Sequence, residues 1–177
     1  MNTANKLTMV RVALIPVYLI VLYIGFRGSN IVAMAIFIIA SLTDFADGYI
    51  ARSRSQETDF GKFTDPLADK ILVVSAMLWF VETGTLPGWV ALIVIIREFM
   101  VTALRLVAVG DGRVIAAGLT GKIKTVVTMI CLSAMHLAIP RWTLYICFTA
   151  ISVTTVVSGI EYYARNMDVL KLAANSE

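Results

Sequence analysis

Four aspartates, Asp44, Asp47, Asp65 and Asp69, sit inside stretches of chain that are otherwise apolar. Ile36, Ile38 and Ile39 precede the first pair and Ile50 follows it. An ionised Asp near the centre of a membrane helix costs roughly 2.5–3.5 kcal/mol on insertion scales, so four of them require compensating partners. At about 100° per residue, Asp44, Asp47, Gly48 and Ala51 fall on one helical stripe. Carboxylates there hold cations, and small residues let a ligand approach the backbone. Arg52 follows at the edge of the apolar stretch, where it can meet a phosphate. Gly61, Asp65 and Asp69 are spaced by four and form a second such face. Pro66 leaves two geometries open: Asp65 within a helix, or Asp65 as N-cap with Pro66 at the first helical position. The connection from Ser53 to Phe60 is short enough to bring the two arms together. Hard oxygen ligands beside a basic edge suit two Mg²⁺ or Mn²⁺ ions, and the absence of a His or Cys cluster disfavours zinc. A metal pair flanked by arginine and lysine points to phosphoryl chemistry, with one carboxylate available as general base.

These residues need a scaffold, and composition limits the choice. Of 177 residues, 59% are hydrophobic and 15% charged, and the mean hydropathy is +0.83. A soluble domain of this size needs more polar surface, so the expected fold is an all-α integral membrane protein. Apolar segments recur along the whole length, which excludes a signal peptide as their explanation. Six spans are expected, at about Val12–Phe26, Ile31–Arg52, Thr64–Glu82, Pro87–Val109, Ala116–Ala138 and Trp142–Ala164. Residues 1–11 read as a short N-terminal interfacial segment and residues 165–177 as a polar tail. Short loops make neighbouring helices antiparallel in one six-transmembrane-helix bundle, and the absence of repeats or linkers predicts a single domain over 1–177.

Orientation follows from basic residues. With six spans, one side collects Lys6, Arg11, Arg52, Arg54, Lys62, Arg105, Arg113, Lys122, Lys124, Arg165 and Lys171; the opposite loops hold Arg27 and Arg141. The rich side, with both termini and the aspartate cluster, is the expected cytoplasmic one. A net charge of +3 gives no nucleic-acid signature.

Further cations lie where lipid is expected. Arg97 is deep in the fourth span and requires a partner or a watery cavity. Arg105 lies on nearly the same face, and Lys122 and Lys124 open the fifth span. Together these can bind the phosphate of an anionic acceptor, with arginine supplying bidentate geometry; Thr8 and Arg11 are weaker candidates. The bland alternative pairs Arg97 with Glu98 or another bundle carboxylate and leaves the lysines as interfacial anchors. His136 is expected to be packed rather than catalytic, Cys131 and Cys147 to be buried hydrophobes, and Pro16 to kink the first helix.

The pattern Asp44-x-x-Asp47-Gly48-x-x-Ala51-Arg52, then eight residues, then Gly61-x-x-x-Asp65-x-x-x-Asp69 resembles the signature of CDP-alcohol phosphotransferases. The resemblance implies a six-helix membrane fold, usually dimeric, with a two-metal site open to the cytoplasm. It implies Asp44, Asp47, Asp65 and Asp69 as metal ligands, with Asp69 also taking the acceptor's hydroxyl proton. Asp44, Asp47, Gly48, Ala51, Arg52 and Gly61 would meet the cytidine diphosphate part of the donor. Asn5-Lys6-Leu7-Thr8-x-x-Arg11, Asp65 to Lys70, Arg97-Glu98-Phe99 with Arg105, Gly121 to Thr125 and Ser158 to Tyr162 are similar to bacterial phosphatidylglycerophosphate synthases. That likeness implies CDP-diacylglycerol as donor, sn-glycerol 3-phosphate as acceptor and the bacterial cytoplasmic membrane as location. Ala4 departs from it, where these enzymes often carry proline. Serine, inositol phosphate and phosphatidylglycerol are rival acceptors. A cation or proton transporter is a more distant alternative, but it predicts polar steps across the bilayer, and Ile71 to Trp79 offers little beyond Ser75.

Overall fold

A computed structural model describes residues 3–54, 59–110, 115 and 118–168, with side chains described at 9–10, 12–43, 70–109, 115 and 118–168. Six α-helices and no strand are found among the described residues: α1 (Thr3–Ile24), α2 (Ser29–Arg54), α3 (Asp59–Glu82), α4 (Gly88–Gly110), α5 (Leu119–Met135) and α6 (Arg141–Arg165). The all-α expectation holds, with each expected segment matched by one helix.

The bounds depart furthest from expectation at the starts of α1 and α3. No break separates Thr3–Arg11 from the apolar stretch that begins at Val12, because α1 runs from Thr3 to Ile24. The Thr3–Arg11 stretch is more polar but holds no glycine or proline, and polarity alone does not stop a helix. Pro16 lies inside α1, where it lacks the N–H for one helical hydrogen bond and the helix continues past it. Of the two geometries left open at Asp65, the helical one is found: α3 begins at Asp59 and runs through Pro66.

The chain divides into two compact units, Met1–Glu82 with Leu132–Ile139, and Thr83–Cys131 with Pro140–Glu177. In the first, α1 packs on α2 and α3, and α2 on α3. The buried stripes have helical spacing: Ile15, Tyr18 and Leu22 on α1, Ala33, Phe37 and Ala40 on α2, Leu72, Ala76 and Phe80 on α3. The α1–α2 turn relies on Gly25 and Gly28, at φ 64° and 92°, a backbone region that other residues enter at a cost. His136 is 3% exposed. Its Nδ1 lies 2.8 Å from the Leu132 carbonyl, so Nδ1 carries the proton and Tyr18 donates its hydroxyl to Nε2 at 3.0 Å. The Phe80 ring meets the imidazole edge-on at 4.9 Å. His136 is thus a packed, satisfied histidine, as expected.

In the second unit α4 packs on α6. Val101, Leu104 and Ala108 of α4 surround Tyr162 of α6, with Ile115 and Tyr163 against the cluster. Cys131 and Cys147 are both free and buried. Among the described residues α6 alone is long and apolar enough to cross a membrane; the apolar stretches Val12–Ile24 and Ser29–Thr43 are shorter. Charge interrupts α4, which carries Arg97, Glu98 and Arg105.

Candidate active site and its cationic cluster

Asp44, Asp47, Gly48, Ala51 and Arg52 occupy the last turns of α2, and Gly61, Asp65 and Asp69 the first turns of α3. The two helices are packed neighbours within one unit. Helical backbone through all these positions places Asp44, Asp47, Gly48 and Ala51 at register positions sharing one face of α2, and Gly61, Asp65 and Asp69 sharing one face of α3. Their side chains lie outside the described residues, as do those of Thr8 and Arg11 on α1. Among the described residues, no three of His, Cys, Asp and Glu come together as a metal site. The four aspartates, hard carboxylates of the kind that suit Mg²⁺ or Mn²⁺, lie outside those described side chains.

The second unit holds a cationic cluster built from two helices, α4 and α5. Glu98 of α4 accepts hydrogen bonds on Oε1 from Arg97 Nη1 at 3.0 Å and from Lys124 Nζ of α5 at 2.6 Å. The side chains are 14%, 17% and 5% exposed for Arg97, Glu98 and Lys124 respectively. Two cations on one carboxylate oxygen leave a surplus positive charge in a largely dehydrated place. At an effective dielectric of about 20, unit charges a few ångströms apart repel by roughly 3–4 kcal/mol, so the carboxylate is what holds them together. Arg97 also keeps a buried Nε with no hydrogen-bond partner, an orphan donor of the kind that ordinarily costs free energy.

Two glycines make room for Arg97. A Cβ on Gly121 of α5 would stand 3.3 Å from Arg97 Nη2, and one on Gly159 of α6 would stand 3.4 Å from its Cγ. The side chain thus runs past positions on both helices that carry nothing beyond Cα.

Arg105, two turns along α4, does not join this cluster. Its Nε donates to the Tyr162 hydroxyl at 3.0 Å, and its guanidinium carbon lies 5.6 Å from the Tyr162 ring centroid. Lys122 is exposed on α5. Of the four described cations expected to share an acceptor site, Arg97 and Lys124 are therefore brought together, Arg105 sits with Tyr162, and Lys122 faces outward. The expected bland pairing of Arg97 with Glu98 is present too, but Lys124 shares it rather than anchoring an interface. A cavity of about 70 Å³ is lined by Gly118, Thr120 and Gly121 from the start of α5 and by Ser158, Glu161, Tyr162, Arg165 and Asn166 from the end of α6. Gly121 links this cavity to Arg97, and Tyr162 links it to Arg105. Sequence reasoning named Glu98 as a possible partner of Arg97 and Tyr162 only within a motif, and gave neither a place beside Lys124 or Arg105. The available signal was a glutamate beside an arginine in an apolar helix, where neither charge is stable alone.

Residues 1–158 match the CDP-alcohol phosphatidyltransferase family. The chain belongs to that family. It is 42% identical to the CDP-diacylglycerol–glycerol-3-phosphate 3-phosphatidyltransferase of Bacillus subtilis, over 96% of this chain and 97% of that one. It is 38% identical to a probable phosphatidylglycerophosphate synthase of Mycobacterium tuberculosis, over 93% of this chain and 81% of the other. A Salmonella typhimurium CDP-diacylglycerol–glycerol-3-phosphate 3-phosphatidyltransferase is 36% identical over 91% and 92%. As a CDP-alcohol phosphatidyltransferase the chain is an enzyme. The family match takes in the four aspartates and the Arg97–Glu98–Lys124 cluster, and it ends before Tyr162 and Arg165 of the small cavity.

Proposed function

We propose that this enzyme transfers the phosphatidyl group of CDP-diacylglycerol to sn-glycerol 3-phosphate, giving phosphatidylglycerol phosphate and CMP. The observation that carries the choice of acceptor is the buried, positively charged Arg97–Glu98–Lys124 cluster. Serine offers no phosphate to neutralise such a surplus, whereas glycerol phosphate does. Inositol phosphate would also satisfy the charge, and here the naming of the relatives at 36–42% identity favours glycerol phosphate.

Within this reading, Asp44, Asp47, Asp65 and Asp69 hold two Mg²⁺ or Mn²⁺ ions, which when bound supply Lewis-acid charge to the donor's pyrophosphate oxygens. Gly48, Ala51 and Gly61 give the cytidine diphosphate part close access to the backbone, and Arg52 carries charge toward its phosphates. Asp69 accepts the proton of the acceptor's 1-hydroxyl as that oxygen bonds to the β-phosphorus. The bond from that phosphorus to the bridging oxygen breaks, and CMP leaves with the oxygen. Arg97, Arg105, Lys122 and Lys124 are assigned to the acceptor's phosphate.

The enzyme is further proposed to cross the bacterial cytoplasmic membrane six times, with termini and active site on the cytoplasmic side, as a homodimer of single-domain chains. The outward-facing Ile146, Val153, Val157 and Ile160 of α6, all exposed, support contact with lipid, since a soluble helix carries polar residues on such a face. The uninterrupted family match over residues 1–158 supports one domain.

The test is CMP release by detergent-purified protein with Mg²⁺ and CDP-diacylglycerol, comparing sn-glycerol 3-phosphate, inositol phosphate, serine and phosphatidylglycerol. Release specific to glycerol 3-phosphate is expected. Release with another acceptor alone would overturn the substrate assignment while leaving the family chemistry intact.

A further inference from the structure

The Glu98 carboxylate is negative, yet it sits in a region that the proposed function assigns to an anionic substrate. On charge alone it should weaken binding, and its removal should help. The geometry points to another role: we infer that Glu98 is a positioning residue, which fixes Lys124 and Arg97 side by side so that both cations serve the acceptor phosphate. This inference rests on the proposed acceptor site.

Three observations carry it. One oxygen, Oε1, receives both Lys124 Nζ at 2.6 Å and Arg97 Nη1 at 3.0 Å, so a single atom sets the spacing of the two cations. Lys124 is only 5% exposed at its side chain, and a buried ammonium needs a counter-charge to offset its lost hydration. Arg97 runs between Gly121 and Gly159, where added Cβ atoms would stand 3.3 and 3.4 Å from it. Its buried Nε has no partner. The helices thus make space for the arginine shaft without binding its tip, and Glu98 supplies the bond that stops the guanidinium from swinging. The arrangement sacrifices one unit of attraction for the acceptor and gains two cations at fixed positions, which is how preorganised charge stabilises a bound phosphate best.

The test uses the full chain and steady-state CMP release, varying sn-glycerol 3-phosphate at saturating CDP-diacylglycerol. Glu98→Asp keeps the charge and shortens the reach, so it separates position from charge. Positioning predicts a KM for glycerol phosphate raised about tenfold in Glu98→Asp, with kcat within about threefold and the KM for CDP-diacylglycerol unchanged. Glu98→Gln should raise the same KM by about tenfold or more, whereas relief of repulsion would lower it. In a cycle with Lys124→Met, the double variant should be no worse than the more damaged single one, because losing Glu98 already displaces Lys124 along with Arg97. A Glu98→Asp enzyme with wild-type KM, a Glu98→Gln enzyme with lowered KM, or multiplying effects in the double variant would each overturn the inference. If Lys124→Met itself leaves the glycerol phosphate KM unchanged, the acceptor-site reading fails and the role of Glu98 falls with it. The first set of outcomes removes Glu98 alone, so the two failures are distinguishable.

Discussion

Arg105 and Tyr162 stand 57 residues apart in the chain and meet through a 3.0 Å hydrogen bond from the arginine Nε to the tyrosine hydroxyl. The bond uses the inner nitrogen of the guanidinium, and the terminal pair that forms a fork for phosphate takes no part in it. Tyr162 is itself 7% exposed and packed among Val101, Leu104 and Ala108, so it is a fixed post from which Arg105 is aimed.

Arg105→Ala is expected to raise the KM for glycerol 3-phosphate by about 10–100-fold, the usual worth of a charged hydrogen bond, with a much smaller effect on the lipid nucleotide. Tyr162→Phe, which keeps the ring and loses only the hydroxyl, should raise it by about two- to fivefold. Equal effects of Arg105→Ala on both substrates would remove that residue from the acceptor site.

Asp69→Asn is expected to lower kcat by about 10²–10⁴-fold, the range associated with loss of a general base. Binding of CDP-diacylglycerol, followed by a fluorescent or radiolabelled analogue, should survive within a few-fold. Near-normal turnover in this variant would assign the base to another residue.

Chelation should abolish CMP release, and either Mg²⁺ or Mn²⁺ should restore it. Zn²⁺ should not, because four carboxylates form a hard-oxygen site rather than a nitrogen–sulfur one. Full activity in excess chelator would contradict the assignment of the four aspartates.

Tyr18→Phe should leave kcat and both KM values near wild type, because neither Tyr18 nor His136 is assigned to donor, acceptor or metal and both are buried in packing. It strips the partner from a buried imidazole nitrogen, so stability should fall by about 1–3 kcal/mol, read as a lower midpoint of thermal unfolding in detergent. An unchanged midpoint would mean that water replaces the hydroxyl.

Much of this was legible in the chain. Helix positions follow from runs of apolar residues and the breakers between them, which is why α4 and α6 begin and end within a residue of expectation. The aspartate pattern was legible because an acid in an apolar helix is too costly to carry unless it holds a cation or a proton. Less legible was how the basic residues divide. Arg97, Arg105, Lys122 and Lys124 read as one set, since periodicity reports only which face of a helix a residue occupies. Whether Arg105 reaches Glu98 or Tyr162 depends on which helix packs against that face, and the partner lies 57 residues away. The helix α1 extends past its apolar stretch for a related reason: a change in polarity marks an environment, whereas the helix stops only where its backbone hydrogen bonds do.

The pairing of Tyr18 with His136 spans 118 residues, and it sets an order on assembly. The first three helices are complete once Glu82 has left the ribosome, but the imidazole that fills the space among Tyr18, Phe37 and Phe80 arrives 54 residues later. At about 5–20 residues per second this is a wait of roughly 3–10 s. During that interval the amino-terminal helices hold a vacant, partly polar notch. Their final packing is thus a late event in biosynthesis, closed by a segment that follows two further helices.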